Sequence, residues 1–140
     1  MSLRGGIGLP ELPLEDGQEF KLGIMGGTFD PIHYGHLVTA EQARESLDLD
    51  AVLFMPAGTP AFKLDKPVTP AEDRYAMTVL ATAANPAFLA SRFEIDRPGV
   101  TYTADTLHAL RDFYPPQLKH YFIMRSDPSI RIVTLHDAER

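Results

Sequence analysis

The stretch LGIMGGTFDPIHYGH, Leu22 to His36, decides how the rest of the chain is read. An apolar run ends on Gly26 and Gly27, an Asp-Pro step follows, and His33 and His36 stand where the helical spacing of Leu37, Ala40, Ala43 and Leu47 begins. This pattern predicts a buried strand over 20–25, a glycine turn and a helix. Adjacent glycines let the backbone approach a ligand and take up positive φ, and a helix N-terminus offers N–H groups and a positive dipole end to a phosphate. The loop is neither G-x-G-x-x-G nor a P-loop, because no third glycine and no Gly-Lys-Ser/Thr follow. The histidines take the cationic part: at their spacing both can point to one side and donate N–H bonds to one polyphosphate. Taken singly, paired glycines are commonly only a turn, and an i, i+3 histidine pair only a solvated helix face.

Outward from this stretch, strands and helices alternate. AVLFM (51–55) is a second buried strand, cut by Pro56, and leads into a Pro- and Gly-rich loop. Thr69, Pro70 and Glu72 read as a capping box with proline at the first helical position, and Met77, Leu80, Ala81 and Ala84 mark the apolar face of the helix that follows. FLASRFEI (88–95) reads as a third strand, RPGV as a turn, and Thr103 as the cap of a helix carrying Leu107, Leu110 and Tyr114 until Pro115-Pro116. KHYFIM (119–124) is the fourth strand. The alternation implies right-handed βαβ crossovers and an α/β, Rossmann-like parallel sheet with helices on both faces. In such sheets ligands bind beyond the carboxyl ends of the strands, where the opening stretch lies.

Composition bounds the function. The chain has 140 residues, 44% of them hydrophobic, enough for one domain with a real core. With 13 basic and 19 acidic residues the formal charge is −6, so no diffuse basic surface offers itself to nucleic acid. There are no cysteines, and His108, His120 and His136 fall on other elements without ligand spacing, so no metal site is expected. No run is long and apolar enough to span a membrane, and the N-terminus lacks the apolar centre of a signal peptide, which makes a soluble cytoplasmic protein the expectation. Residues 1–19 mix Gly, Pro and acids and read as a flexible leader to a domain over 20–140.

The whole string GGTFDPIHYGH resembles the G-T-F-D-x-x-H-x-G-H signature of the nucleotidyltransferase superfamily, and within it the chain is similar to the nicotinate-nucleotide adenylyltransferases. The likeness runs from about Lys21 to Asp127 and more faintly to Arg140. Arg74 and Met77 match an R-x-x-M helix, and DRPGVTYTADTL (96–107) matches R-x-G-x-S/T-Y-T-x-D-T-L. This resemblance implies adenylyl transfer from ATP to nicotinate mononucleotide, giving nicotinate adenine dinucleotide and pyrophosphate. The acceptor oxygen is already anionic, so alignment and charge stabilisation, with Mg²⁺ carried on the ATP phosphates, suffice without a general base. It implies that His33 and His36 contact the triphosphate, with Lys63 reaching it from its loop. Gly26, Gly27, Thr28 and Phe29 would line the nucleotide and Asp127 would accept from the ribose. Arg74, Tyr102 and Thr103 would face the acceptor. The plainer readings are a solvated loop lysine for Lys63, a helix salt bridge for Arg74 and a helix cap for Thr103.

Some positions depart from the family pattern. Pro60-Ala61-Phe62-Lys63 stands where the family often has P-H-K, Arg125-Ser126-Asp127 where it has Gly-x-Asp, and Leu135 where it has a tryptophan that stacks on pyridine. The chain also stops at Arg140, before the family's last strands and their I-S-S/A-T-x-I-R segment. Two further readings therefore stay open: a nucleotide-binding relative impaired in catalysis, and a sister enzyme such as pantetheine-phosphate adenylyltransferase. The early stop also predicts a fourth strand without an outer neighbour, its Tyr121, Phe122 and Ile123 open to self-association.

Overall fold

The computed structural model describes residue 12 and residues 18–58, 68–96, 103–126 and 129–134. Five strands form one sheet in the order β3-β2-β1-β4-β5. Strands β1 (Phe20–Gly27), β2 (Ala51–Pro56), β3 (Phe88–Ala90) and β4 (Leu118–Ser126) run parallel, and β5 (Ser129–Thr134) pairs antiparallel with β4. Helices α1 (Tyr34–Leu47), α2 (Ala71–Thr82), α3 (Phe93–Asp96) and α4 (Thr103–Phe113) lie between the parallel strands. The fold is Rossmann-like α/β. Among the described residues no helix is long and apolar enough to cross a membrane.

The period of two along each strand sorts the core into two layers. Leu22 and Ile24 of β1 join Leu53 and Met55 of β2 and pack on Leu107, Leu110 and Tyr114 of the α4 region. Met25 joins Val52 and Phe54 on the opposite face, against Ala40 and Ala43 of α1. All of β2 is buried, as a strand covered on both faces must be. Leu12, inside the stretch read as a leader, is 1% exposed and belongs to the α4-side layer.

Four expectations need correction. The fourth strand is not an open edge: β5 pairs along it from Tyr121↔Thr134 to Ser126↔Ser129, so the premise for self-association through β4 falls. The third strand stops at Ala90. There Ser91 N–H donates to Phe54 O at 2.9 Å while Ser91 Oγ accepts from Phe93 N–H at 3.1 Å, which caps a helical turn where strand was expected. The capping box at Thr69 does not form: Pro70 is the N-cap of α2, with no side-chain cap bond. Nor do Met77, Leu80, Ala81 and Ala84 make the inward face of α2. Leu80 is 76% exposed, and Arg74, Thr78 and Thr82 are buried instead. Burial of the two threonines is tolerated because Thr78 Oγ1 donates to Arg74 O at 2.9 Å and Thr82 Oγ1 to Thr78 O at 2.8 Å, so no hydroxyl is left bare.

Candidate active site

The carboxyl ends of β1 and β2 meet in register, Gly26 opposite Met55 and Gly27 opposite Pro56, and β4 runs beside β1 on its other side. Gly26 and Gly27 close β1 as ordinary strand residues, and both are exposed. The positive φ expected of them falls instead on Phe29, at 52°. A Cβ at Gly26 would come no nearer than 3.8 Å to the Phe122 ring, and one at Gly27 would lie 3.5 Å from the Phe29 ring. Nothing among the described residues requires glycine at either position. Their lack of side chains leaves the strand end open to approach from solvent.

The turn that follows orients the histidines. His33 is the N-cap of α1, and its Nδ1 accepts from Gly35 N–H at 3.1 Å. His36, one turn on, accepts from His33 N–H through its own Nδ1 at 3.0 Å. The end of α1 is thus tied down by imidazoles in the part usually taken by Ser, Asp or Glu side chains. An Nδ1 that accepts carries no proton, so each neutral ring bears its N–H at Nε2. The two rings stack with centroids 3.9 Å apart and 32° between planes, and Phe29, 3% exposed, sets its ring against His36 at 4.9 Å, edge on. The pair is held by the cap below and by the aromatic beside it. Of the N–H groups that the helix N-terminus was expected to offer an anion, that of Gly35 is taken by His33.

Arg74 gathers the segments around this turn. Its guanidinium donates to Thr69 O, Thr28 O, Ala57 O and Gly58 O at 2.8, 2.9, 2.6 and 2.9 Å. The side chain is 1% exposed, so it neither forms a helix salt bridge nor stands open to an acceptor as expected. Burial pushes its pKa down, against the pull of the Asp30 carboxylate. Asp30, which sequence reasoning passed over, accepts from Thr69 N–H through Oδ2 at 3.0 Å and so ties the turn to the start of α2. Thr28 is the link in between, its carbonyl on Arg74.

Gly58 also escaped notice. A Cβ there would sit 2.6 Å from Glu94 O, so glycine lets α3 close over the end of β2. Thr103 is the first residue of α4 rather than its cap. Lys63, Tyr102, Asp127 and Leu135 lie outside the described residues. Among the described residues no group of three or more His, Asp or Glu could hold a metal ion.

A family model described as cytidylyltransferase-like matches residues 24–137. The chain belongs to this family. It is 56% identical over 119 residues to a protein of Moorella thermoacetica named "probable nicotinate-nucleotide adenylyltransferase", covering 85% of this chain and 55% of that protein. A protein of the same name from Corynebacterium kroppenstedtii is 55% identical over 117 residues, covering 84% and 55%. The chain spans about half the length of these curated relatives. Among solved structures, a Plasmodium falciparum nicotinic acid mononucleotide adenylyltransferase complexed with NaAD superposes with a TM-score of 0.59 at 21% identity, over 74% of this chain and 51% of that one. At that identity the likeness speaks for the fold. In this cytidylyltransferase-like chain the matched region takes in the glycine end of β1, the histidine pair and Arg74.

Proposed function

We propose that the site transfers the adenylyl group of ATP to nicotinate mononucleotide, forming nicotinate adenine dinucleotide and releasing pyrophosphate. The observation that carries this reading is the histidine pair at the glycine end of β1: both Nδ1 atoms accept within the α1 cap, which puts the proton of each neutral ring on Nε2. Donors fixed before substrate arrives stabilise charge that develops in transfer without reorganising, and that is the main demand of a phosphoryl-type displacement. The acceptor's phosphate oxygen attacks the α-phosphorus and the bond to the bridging oxygen of pyrophosphate breaks. No proton need be removed from the nucleophile. Mg²⁺ enters as part of the substrate, on the phosphates of ATP.

In this reading Gly26, Gly27, Thr28 and Phe29 line the nucleotide, with Asp127 on its ribose, and Lys63 adds charge at the phosphates. Tyr102 and Thr103 meet the acceptor at the start of α4, where a helix N-terminus favours the nicotinate carboxylate. The names borne by relatives at 56% and 55% identity support the same substrates. A cytoplasmic location goes with them, since ATP is the donor. The test is mass spectrometry of the product formed from ATP, Mg²⁺ and nicotinate mononucleotide, beside its nicotinamide analogue. A dinucleotide from the acid form in preference to the amide is expected; preference for the amide would sink the acceptor assignment, and no dinucleotide from either would sink the reaction.

A further inference from the structure

Arg74 heads the fully buried side chains by volume, and it is a cation. A buried charge ordinarily has a carboxylate against it, because leaving water costs several kcal/mol that hydrogen bonds to neutral groups only partly offset. Among the described residues its four hydrogen bonds all go to backbone oxygens. Among the described residues no carboxylate forms an ion pair with it, and Asp30, whose charge it feels, holds the Thr69 N–H through one of its oxygens. An arginine is protonated at any working pH, so among the described residues the positive charge beneath the ends of β1 and β2 is met by the field of Asp30 and by no ion pair.

The same bonds orient the backbone. In a trans peptide the C=O and the N–H point opposite ways. Drawing Thr28 O and Ala57 O onto the guanidinium therefore turns the N–H groups of Phe29 and Gly58 away from it. One side chain thus fixes the turn after β1, the turn after β2 and the start of α2 to a single point.

We infer that Arg74 is a positioning residue for a polyphosphate: it braces the three segments by their carbonyls and leaves its charge to be balanced by the ligand's phosphates, which it does not touch. This deepens, and rests on, the nucleotide reading above. It differs from a purely structural brace in one measurable respect. A lost brace weakens every adenine nucleotide alike, whereas a lost charge weakens them in order of phosphate number.

The experiment is calorimetric titration of the 140-residue chain with AMP, ADP and ATP, for the wild type, Arg74→Lys and Arg74→Gln, each checked for folding by its circular dichroism melt. One lysine nitrogen cannot reach four carbonyls, so both variants lose the brace and weaken AMP similarly. They part on the ATP-to-AMP affinity ratio. Arg74→Lys keeps it within about twofold of wild type and Arg74→Gln lowers it roughly tenfold, with ADP between. Arg74→Met supplies the neutral arm if Arg74→Gln does not fold. An unchanged ratio in the neutral variant, or a collapsed ratio in Arg74→Lys, overturns the inference alone. A wild type that binds none of the three nucleotides overturns the nucleotide reading and this inference with it.

Discussion

Gly23 and Gly26 lie on the same strand and are glycine for opposite reasons. Gly23 belongs to the packed half of β1, where a Cβ would stand 2.8 Å from Leu49 Cδ1 and 2.9 Å from Ile123 Cδ1. Without it the core layers could not close to their present spacing. Gly26 belongs to the bare end, where a Cβ would meet nothing nearer than 3.8 Å. A glycine that the fold does not need, in a strand where it weakens pairing, points to a requirement outside the fold. The packed half and the bare end should therefore answer differently to substitution: the first in stability, the second in function.

The sharpest test of that division is at the histidines. Asparagine offers an acceptor in nearly the place of Nδ1 but has no Nε2–H, so His36→Asn keeps the α1 cap and removes the donor. Adenylyl transfer should fall by roughly 10²- to 10³-fold, the cost of one preorganised donor, about 2.7–4 kcal/mol, with little change in the melting temperature. His33→Asn should cost less, because the family resemblance implies that His36 is the nearer of the two to the charge that develops in transfer. Steady-state rates and melts on the same preparations decide it. Equal and small effects at both positions would reduce the pair to a helix cap.

In the packed half the largest effect belongs to His120, opposite Leu22 in the sheet and 7% exposed. Its Nε2 is buried without a hydrogen-bond partner among the described residues. Burial, with the Arg111 charge adding to it, pushes the ring from its ordinary 6.5 down to about 4. Below pH 6.5 the unfolded chain takes up a proton there and the folded chain does not, so stability present at neutral pH is lost as pH falls through this window. The loss reaches roughly 3 kcal/mol by pH 4. Denaturant melts at pH 7, 5.5 and 4 should show His120→Leu with a shallower fall than wild type, and parallel curves would sink the assignment. Transfer activity at pH 7 should not change.

A smaller loss is expected at Gly58. The atom in the way of a Cβ there is the backbone oxygen of Glu94, at 2.6 Å, which cannot swing aside as the end of Leu49 can at Gly23. Gly58→Ala should cost about 1–3 kcal/mol and Gly23→Ala less, read as shifts in the denaturation midpoint. The reverse order would mean that α3 moves more easily than the core.

The same contrast explains what could be read in advance. The packed half was legible because the apolar runs at 20–25 and 51–55 mark strands covered on both faces. The observed order β3-β2-β1-β4 is that of the Rossmann-like class which the alternation of strands and helices implied. SIRIVT (129–134) was not recognised as β5, though its Ile, Val and Thr favour strand, because the family pattern led to the expectation of a missing neighbour instead. The inward face of α2 was misread for a different reason. Its apolar residues keep helical spacing, but four backbone oxygens from three segments draw Arg74 inward, and backbone oxygens leave no trace in residue types. At the site, the histidine pair stood out by spacing. Its double use as cap and donor did not, since cap preferences direct attention to Ser, Thr, Asp and Asn.

The smallest expected effect cuts most cleanly between the two halves. Gly26 has no positive φ to preserve and no contact to violate, so Gly26→Ala removes backbone entropy from the unfolded chain without straining the folded one. The variant should be as stable as the wild type or more stable by about 0.4–1 kcal/mol. Its methyl group would nevertheless stand at the exposed strand end where the proposed nucleotide comes against the backbone, and the Michaelis constant for ATP should rise while the one for the acceptor holds. A gain in stability joined to a loss of ATP affinity cannot come from damage to the core, so that pair of results would assign the glycine to the ligand. A fall in stability would show that some packing at the end of β1 needs glycine after all, and the distinction between its two halves would fail.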